Sequence, residues 1–236
     1  MTMIVRKLQQ LRDRITTACV AAGRNPAAVK LLAVSKTFPA EAVLDAMSEG
    51  QRAFGENYIT EGVAKIIALK AHAAGSALSP LEWHCIGPVQ SNKTRLVAEH
   101  FDWVQSVDRL KIAQRLSEQR PVGMPPLQIC LQVNLDGGEN KSGLPASEAL
   151  ALAREVALLP RLVLRGLMSI PEPADDFVAA CAVHQRAKDL FDAINASGDL
   201  PMPMDTLSMG MTADLEAAIH AGSTMVRVGT AIFGTR

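Results

Sequence analysis

The sequence predicts a single (β/α)8 barrel of the TIM type carrying an extra N-terminal helix, and three observations predict it. Short, β-branched apolar runs alternate eight times with segments of helical period, the pattern of parallel β/α units. The length, 236 residues, is close to the ~250 typical of such barrels. The rival open, doubly wound sheet would carry a G-x-G-x-x-G turn after its first strand, where this chain reads SKTFPAE. One domain, 1–236, is expected. The connections at 71–80 and 121–126 are too short to be interdomain linkers, and a chain of this size can remove roughly 70% of its surface from water unaided.

The first 24 residues read as a helix packed on the barrel. Ile4, Leu8, Leu11, Ile15 and Cys19 recur at helical spacing, and Gly23 with Pro26 stops the run. Early charges (Arg6, Lys7, Arg12, Asp13, Arg14) exclude the apolar core of a signal peptide. The eight strands are KLLAVS from Lys30, RAFGEN from Arg52, EWHCIG from Glu82, WVQSVD from Trp103, LQICLQVN from Leu127, LVLRGLMSI from Leu162, DTLSMG from Asp205 and MVRVGTAIFG from Met225. Helical segments between them include 40–49, 109–119, 147–158, 177–194 and 214–220, with Gly50, Pro160 and Gly222 as breakers.

Composition narrows the function. Twenty-four basic and 24 acidic residues cancel, so no global field draws the chain to nucleic acid or an anionic membrane, and 4% aromatics leave little for base stacking. No stretch approaches the ~18 apolar residues of a membrane span. Cys19, Cys85, Cys130 and Cys181 form no C-x-x-C pair, and the five histidines lack ligand spacing. A reducing cytoplasm and no metal site are the expectations.

Chemistry in such barrels lies at the carboxyl ends of the strands. Lys36 closes the first strand and shares parity with Leu32 and Val34, so it is expected to point into the barrel. Strand seven runs into Ser208-Met209-Gly210-Met211-Thr212, with a helix starting near Asp214, expected to charge or cap its N-terminus. Strand eight carries Arg227, Gly229 and Thr230. Hydroxyls, glycines and a guanidinium at this place suit a phosphate dianion. A strand-end lysine facing a phosphate cradle suggests an imine to a phosphorylated aldehyde, of which pyridoxal 5'-phosphate is the commonest, with the lysine as Schiff-base partner.

The segments AVSK (to Lys36), FGENY (from Phe54), WHCIGPVQSNK (from Trp83), VN (Val133, Asn134), ENKSG (from Glu139), RGLM (from Arg165), LSMGMTADL (from Leu207) and VRVGTAIFG (from Val226) resemble the pyridoxal phosphate homeostasis protein family over essentially the whole chain. Cys85, Val89 and Thr212 depart from its usual residues, Thr212 keeping a hydroxyl where serine is usual. The resemblance implies Lys36 as the Schiff-base lysine, and Ser208, Gly229 and Thr230 on the phosphate, with Gly210 adding an amide. It implies Asn57 and Met168 beside the ring, and Arg227 at either the phosphate or the pyridine nitrogen. His84, on a barrel strand, reads either as a ring neighbour or as a hydrogen-bonded interior histidine. Lys141, in a glycine-bearing loop, reads as a second amine for the aldehyde or as a solvated lysine.

The implied function is cofactor homeostasis and delivery by a cytoplasmic monomer without established turnover, with apo pyridoxal phosphate enzymes as possible recipients. The family resembles the barrel of alanine racemase, so a racemase-like enzyme is the alternative. The eight strands consume the sequence, leaving no residues for the second domain that a racemase uses, and Tyr58, the sole tyrosine, is not assigned as a second acid/base. A Schiff-base aldolase acting on a phosphorylated sugar comes third: its lysine belongs on the sixth strand, which here offers Arg165 and Met168.

Overall fold

The computed structural model describes residues 3–73, 80–136 and 142–234. Helix α1 (Met3–Ala21) precedes the first units: β1 (Lys30–Val34), α2 (Ala40–Ser48), β2 (Ala53–Glu56), α3 (Ile59–Ala73), β3 (Glu82–Cys85) and α4 (Thr94–His100). The chain continues through β4 (Trp103–Val107), α5 (Leu110–Gln119), β5 (Leu127–Asn134), β6 (Leu144–Pro145) and α6 (Ala149–Ala157). It ends with β7 (Leu162–Ser169), α7 (Phe177–Ala196), β8 (Thr206–Ser208), α8 (Leu215–His220), β9 (Met225–Val228) and α9 (Thr230–Phe233).

All eight expected strands form, and they pair in parallel as β1-β2-β3-β4-β5-β7-β8-β9, with β9 returning to β1. The sheet is therefore a closed barrel without edges, apart from the two-residue β6 beside the end of β5. Strands six, seven and eight of the sequence reading are β7, β8 and β9.

The period of two along each strand separates two cores. Ala33, Phe54, Trp83, Val104, Leu131, Leu167, Leu207 and Val226 join the main apolar cluster between sheet and helices. Their neighbours face the barrel interior, where Leu32, Ala53 and Met225 form one cluster and Trp103, Cys130 and Met168 another. The same parity places His84, Gln105, Ser208 and Arg227 inside, and all four are buried.

Helix α1 buries Leu8, Leu11, Ile15 and Cys19 at its expected spacing and packs on α8 and α9. Two expectations change. The strand expected to run from Met225 to Gly234 stops at Val228, because Gly229 takes an α-region conformation and Thr230 starts α9, whose Ile232 is buried in the core that α1 shares. The first strand is also shorter than read: β1 ends at Val34, the chain turns with Phe38 N–H donating to Ser35 O, and Lys36 follows the strand as an exposed residue at the C-terminal rim.

Candidate functional site

The C-terminal mouth collects most of the expected residues, and each is held by a different device. Lys36 is carried by a rigid turn. Ser35 donates its hydroxyl to Glu56 at 2.6 Å, and Lys65 Nζ donates to Ser35 O at 2.8 Å and to Glu56 at 2.7 Å. Glu56 and Lys65 form a buried pair. Burial pushes the Glu56 carboxyl above its ordinary value, against the downward pull of the Lys65 and Ser35 hydrogen bonds. On the other side of the lysine, Thr37 is left-handed (φ 71°), a conformation that costs a non-glycine residue of order 1–3 kcal/mol, and its N–H donates to Glu61 at 2.6 Å. Between these anchors, Lys36 Nζ makes no hydrogen bond or ion pair among the described residues.

Asn57 follows β2 and is locked by contact with Gly87, where an added Cβ would lie 2.2 Å from the Asn57 carbonyl oxygen. Its Oδ1 is buried with no partner, and so is Ser169 Oγ at the end of β7. A buried polar atom without a partner costs about 1–3 kcal/mol, so two of them at one mouth point to a missing ligand. Met168 is fully buried beside Trp103 and Cys130.

The loop after β8 is clamped from three directions. Asp214 Oδ1 accepts from Met211 N–H at 2.7 Å, and Oδ2 meets His184 at 2.9 Å. Arg14, from α1, donates to Thr212 O at 2.9 Å and pairs with Glu216. Asp214 thus ties down the loop and makes no side-chain cap on α8, which replaces the expected capping role. Its carboxyl is held below its ordinary value: burial raises it, but the His184 and Met211 hydrogen bonds outweigh that. The clamp brings Thr212 Oγ1 within 3.1 Å of Thr230 Oγ1, two hydroxyls side by side at the first turn of α9. Gly210 is left-handed (φ 93°), and a Cβ there would meet Ala218 at 2.5 Å, so this position demands glycine for packing on α8.

Ser208 departs from expectation. It is fully buried below the rim, where its hydroxyl donates to Gln105 Oε1 at 2.6 Å and accepts from Arg227 Nη1 at 2.8 Å. Its donor is therefore committed and does not face the mouth. Arg227 is also buried, and burial lowers it to about 10. It donates to Ser208 O, Ser208 Oγ and Ser169 O, which leaves two of its five N–H groups unused among the described residues.

His84 is an interior histidine, bonded to Gln105 and Glu82 and stacked on Trp103 with ring centroids 5.0 Å apart. Lys141 lies outside the described residues. Gln105, Ser169, Glu56 and Lys65 were missed in sequence. A glutamine in the inward phase of the apolar strand WVQSV was the available signal for the first. No group of three or more His, Cys, Asp or Glu side chains suited to a metal ion occurs among the described residues.

An unpaired amine, a pair of hydroxyls at a helix start, orphaned polar atoms and a partly unused guanidinium fit a small phosphorylated aldehyde. Residues 7–236 match the model of the alanine racemase N-terminal domain family. The chain is 54% identical over its full length to 97% of the pyridoxal phosphate homeostasis protein of Pseudomonas aeruginosa. The chain belongs to this family. Among solved structures it is similar to PipY of Synechococcus elongatus with PLP bound (34% identity, TM-score 0.82, covering 98% of this chain and 100% of that one). An alanine racemase of Clostridium difficile shares the fold at 15% identity (TM-score 0.69), its match spanning 95% of this chain and 56% of that enzyme.

Proposed function

We propose that this chain binds pyridoxal 5'-phosphate at the C-terminal mouth of the barrel and serves its homeostasis and delivery as a non-catalytic carrier. One observation carries the reading: a single rim gathers an amine without a partner, two orphaned buried polar atoms and spare guanidinium N–H groups. The bound cofactor supplies an electrophilic aldehyde and a dianionic phosphate.

Lys36 Nζ would hold the aldehyde carbon, with the turn between Ser35 and Thr37 fixing its base. Thr230 and Thr212 hydroxyls, with the first N–H groups of α9 near Gly229, would hold the phosphate. Gly210 contributes the turn, and Ser208 acts one step back, through Arg227. Asn57 and Met168 would bound the ring, and Arg227 would offer its spare N–H groups from below. Lys141 stays a candidate for a secondary amine.

The non-catalytic reading is supported by the homeostasis proteins the chain resembles and by the lack of an evident second acid/base among the described residues. Tyr58, the sole tyrosine, is exposed, and burial pushes Cys130, inside the barrel, up to about 12. Four free cysteines suit a reducing cytoplasm. No helix among the described residues is long and apolar enough to cross a membrane. We take the carrier to act as a monomer that hands cofactor to apo-enzymes.

Incubation with pyridoxal 5'-phosphate should give a visible absorbance band, and borohydride reduction with peptide mapping should place the label on Lys36. A colourless protein would overturn the binding reading. Sustained interconversion of alanine or serine enantiomers by the loaded protein would overturn the carrier reading.

A further inference from the structure

A line of hydrogen bonds crosses the barrel interior from the candidate site to the opposite mouth. From Arg227 it passes to Ser208 Oγ (2.8 Å), Gln105 Oε1 (2.6 Å), then from Gln105 Nε2 to His84 Nδ1 (2.8 Å), and from His84 Nε2 to Glu82 Oε1 (2.5 Å). Lys30 closes it with an ion pair to Glu82. The four interior members come from four different strands, β9, β8, β4 and β3, and each is buried.

The polarity of this line is dictated from its far end. A carboxylate only accepts, so Glu82 requires a proton on His84 Nε2. Gln105 presents its amide nitrogen to Nδ1 at 2.8 Å and to Met225 Sδ at 3.1 Å, which makes Nδ1 the acceptor, and burial disfavours a second proton on the ring. This orientation of the amide turns Oε1 toward Ser208. The serine hydroxyl must then donate to Oε1, and the oxygen lone pair left over faces Arg227.

We propose that Gln105, held by His84 and Glu82, is a positioning residue for the cofactor site: it fixes Ser208 Oγ as an acceptor and thereby aims the spare N–H groups of Arg227 at the mouth. This rests on the binding reading above, in that the site it serves is the pyridoxal phosphate site. The arrangement also explains why Ser208 sits at the cradle position without facing the rim. Its hydroxyl belongs to the support beneath the guanidinium. With Oε1 gone, Ser208 would turn its proton toward another acceptor, and Arg227 Nη1 would lose a defined partner.

The test uses the full-length protein and pyridoxal 5'-phosphate as probe. Gln105→Leu keeps the approximate volume and removes the bonds to His84, Ser208 and Met225 Sδ. It should weaken cofactor binding about tenfold, the equivalent of one hydrogen bond to a charged group, and still be labelled at Lys36 after borohydride reduction. In cofactor-free wild type, nitrogen-15 NMR should show His84 protonated at Nε2 and not at Nδ1. The Nδ1 resonance should move toward that of an unbonded lone pair in Gln105→Leu. A folded Gln105→Leu that binds as tightly as wild type would sink the proposal, as would a protonated Nδ1 in wild type. If Gln105→Leu does not fold, Glu82→Leu at the partly exposed far end replaces it, since it removes the acceptor from His84 Nε2: binding weakened about threefold supports the line, and unchanged binding overturns it. Failure of the wild type to take up cofactor would instead defeat the binding reading, leaving the NMR arm to judge the line alone.

Discussion

The same eight strands make both mouths of the barrel, yet the two ends treat their polar groups in opposite ways. At the N-terminal end the charges inside the rim are paired among the described residues. Lys30 meets Glu82, Glu82 meets His84, and Arg165 grips Asp205 through two N–H groups while reaching Gln128 and lying 4.9 Å over the Trp103 ring. At the C-terminal end Lys36 Nζ, Asn57 Oδ1 and Ser169 Oγ are left over. Orphaned buried atoms also occur among the surrounding helices, at Gln119 Oε1 and His184 Nδ1, so what marks the C-terminal end for ligand is the grouping of Asn57 Oδ1 and Ser169 Oγ with the unpaired Lys36 at one mouth. The buried Glu56–Lys65 pair refines the point, since it stands behind Lys36 and serves stability from within the functional end.

The largest effect that could break this contrast is at Lys36. Lys36→Ala should abolish the borohydride-trapped adduct on peptide mapping while leaving the thermal midpoint unchanged, because the side chain is exposed and unpartnered. Next comes Lys65→Met, which leaves Glu56 as an uncompensated buried carboxylate. Urea unfolding should show a loss of about 3–5 kcal/mol. Arg165→Met, at the other mouth, should reverse the profile of Lys36→Ala: about 1–2 kcal/mol less stable and no change in cofactor uptake.

Acid sharpens the comparison further. Burial raises the Glu82 carboxyl, but the His84 and Lys30 hydrogen bonds outweigh it and hold it at about 2, below its ordinary 4.5. A carboxyl depressed in the folded state adds stability above the unfolded value and loses it as pH falls toward the folded one. Between pH 4.5 and about 2 the protein should therefore lose stability through Glu82, by about 1 kcal/mol after allowance for its partial exposure, and Glu82→Gln should remove that slope from acid titrations followed by circular dichroism. The smallest expected effect is that of Asn57→Leu: removing the orphaned Oδ1 should stabilise the cofactor-free protein by up to about 1 kcal/mol in urea unfolding while weakening cofactor binding.

Much of this was legible in sequence, residue by residue. Leu32, Trp103 and Met225 alternate with Ala33, Val104 and Val226 along their strands, and that period of two alone separates the interior from the helix-facing layer. Gly229 and Thr230 stand at the rim as read, but the run AIF after them looks like strand and is helix, because apolar residues of this kind serve either, and docking near α1 decides. Ser208 was legible as a polar strand end and illegible as the neighbour of Gln105, 103 residues away.

From its own order of residues the chain determined the alternation of strands and helices, the candidate lysine at the first strand end and the hydroxyls and guanidinium at the last two. These follow from interactions spanning a few residues, the periods of two and 3.6 and the breakers between them. Only the closed barrel decided that Lys36 would be exposed, that Ser208 would turn inward and that Gln105, His84 and Glu82 would lie in line beneath Arg227. Hydrogen-bond partners inside a barrel come from strands distant in sequence, and which of them meet depends on register and closure, quantities that no local pattern contains.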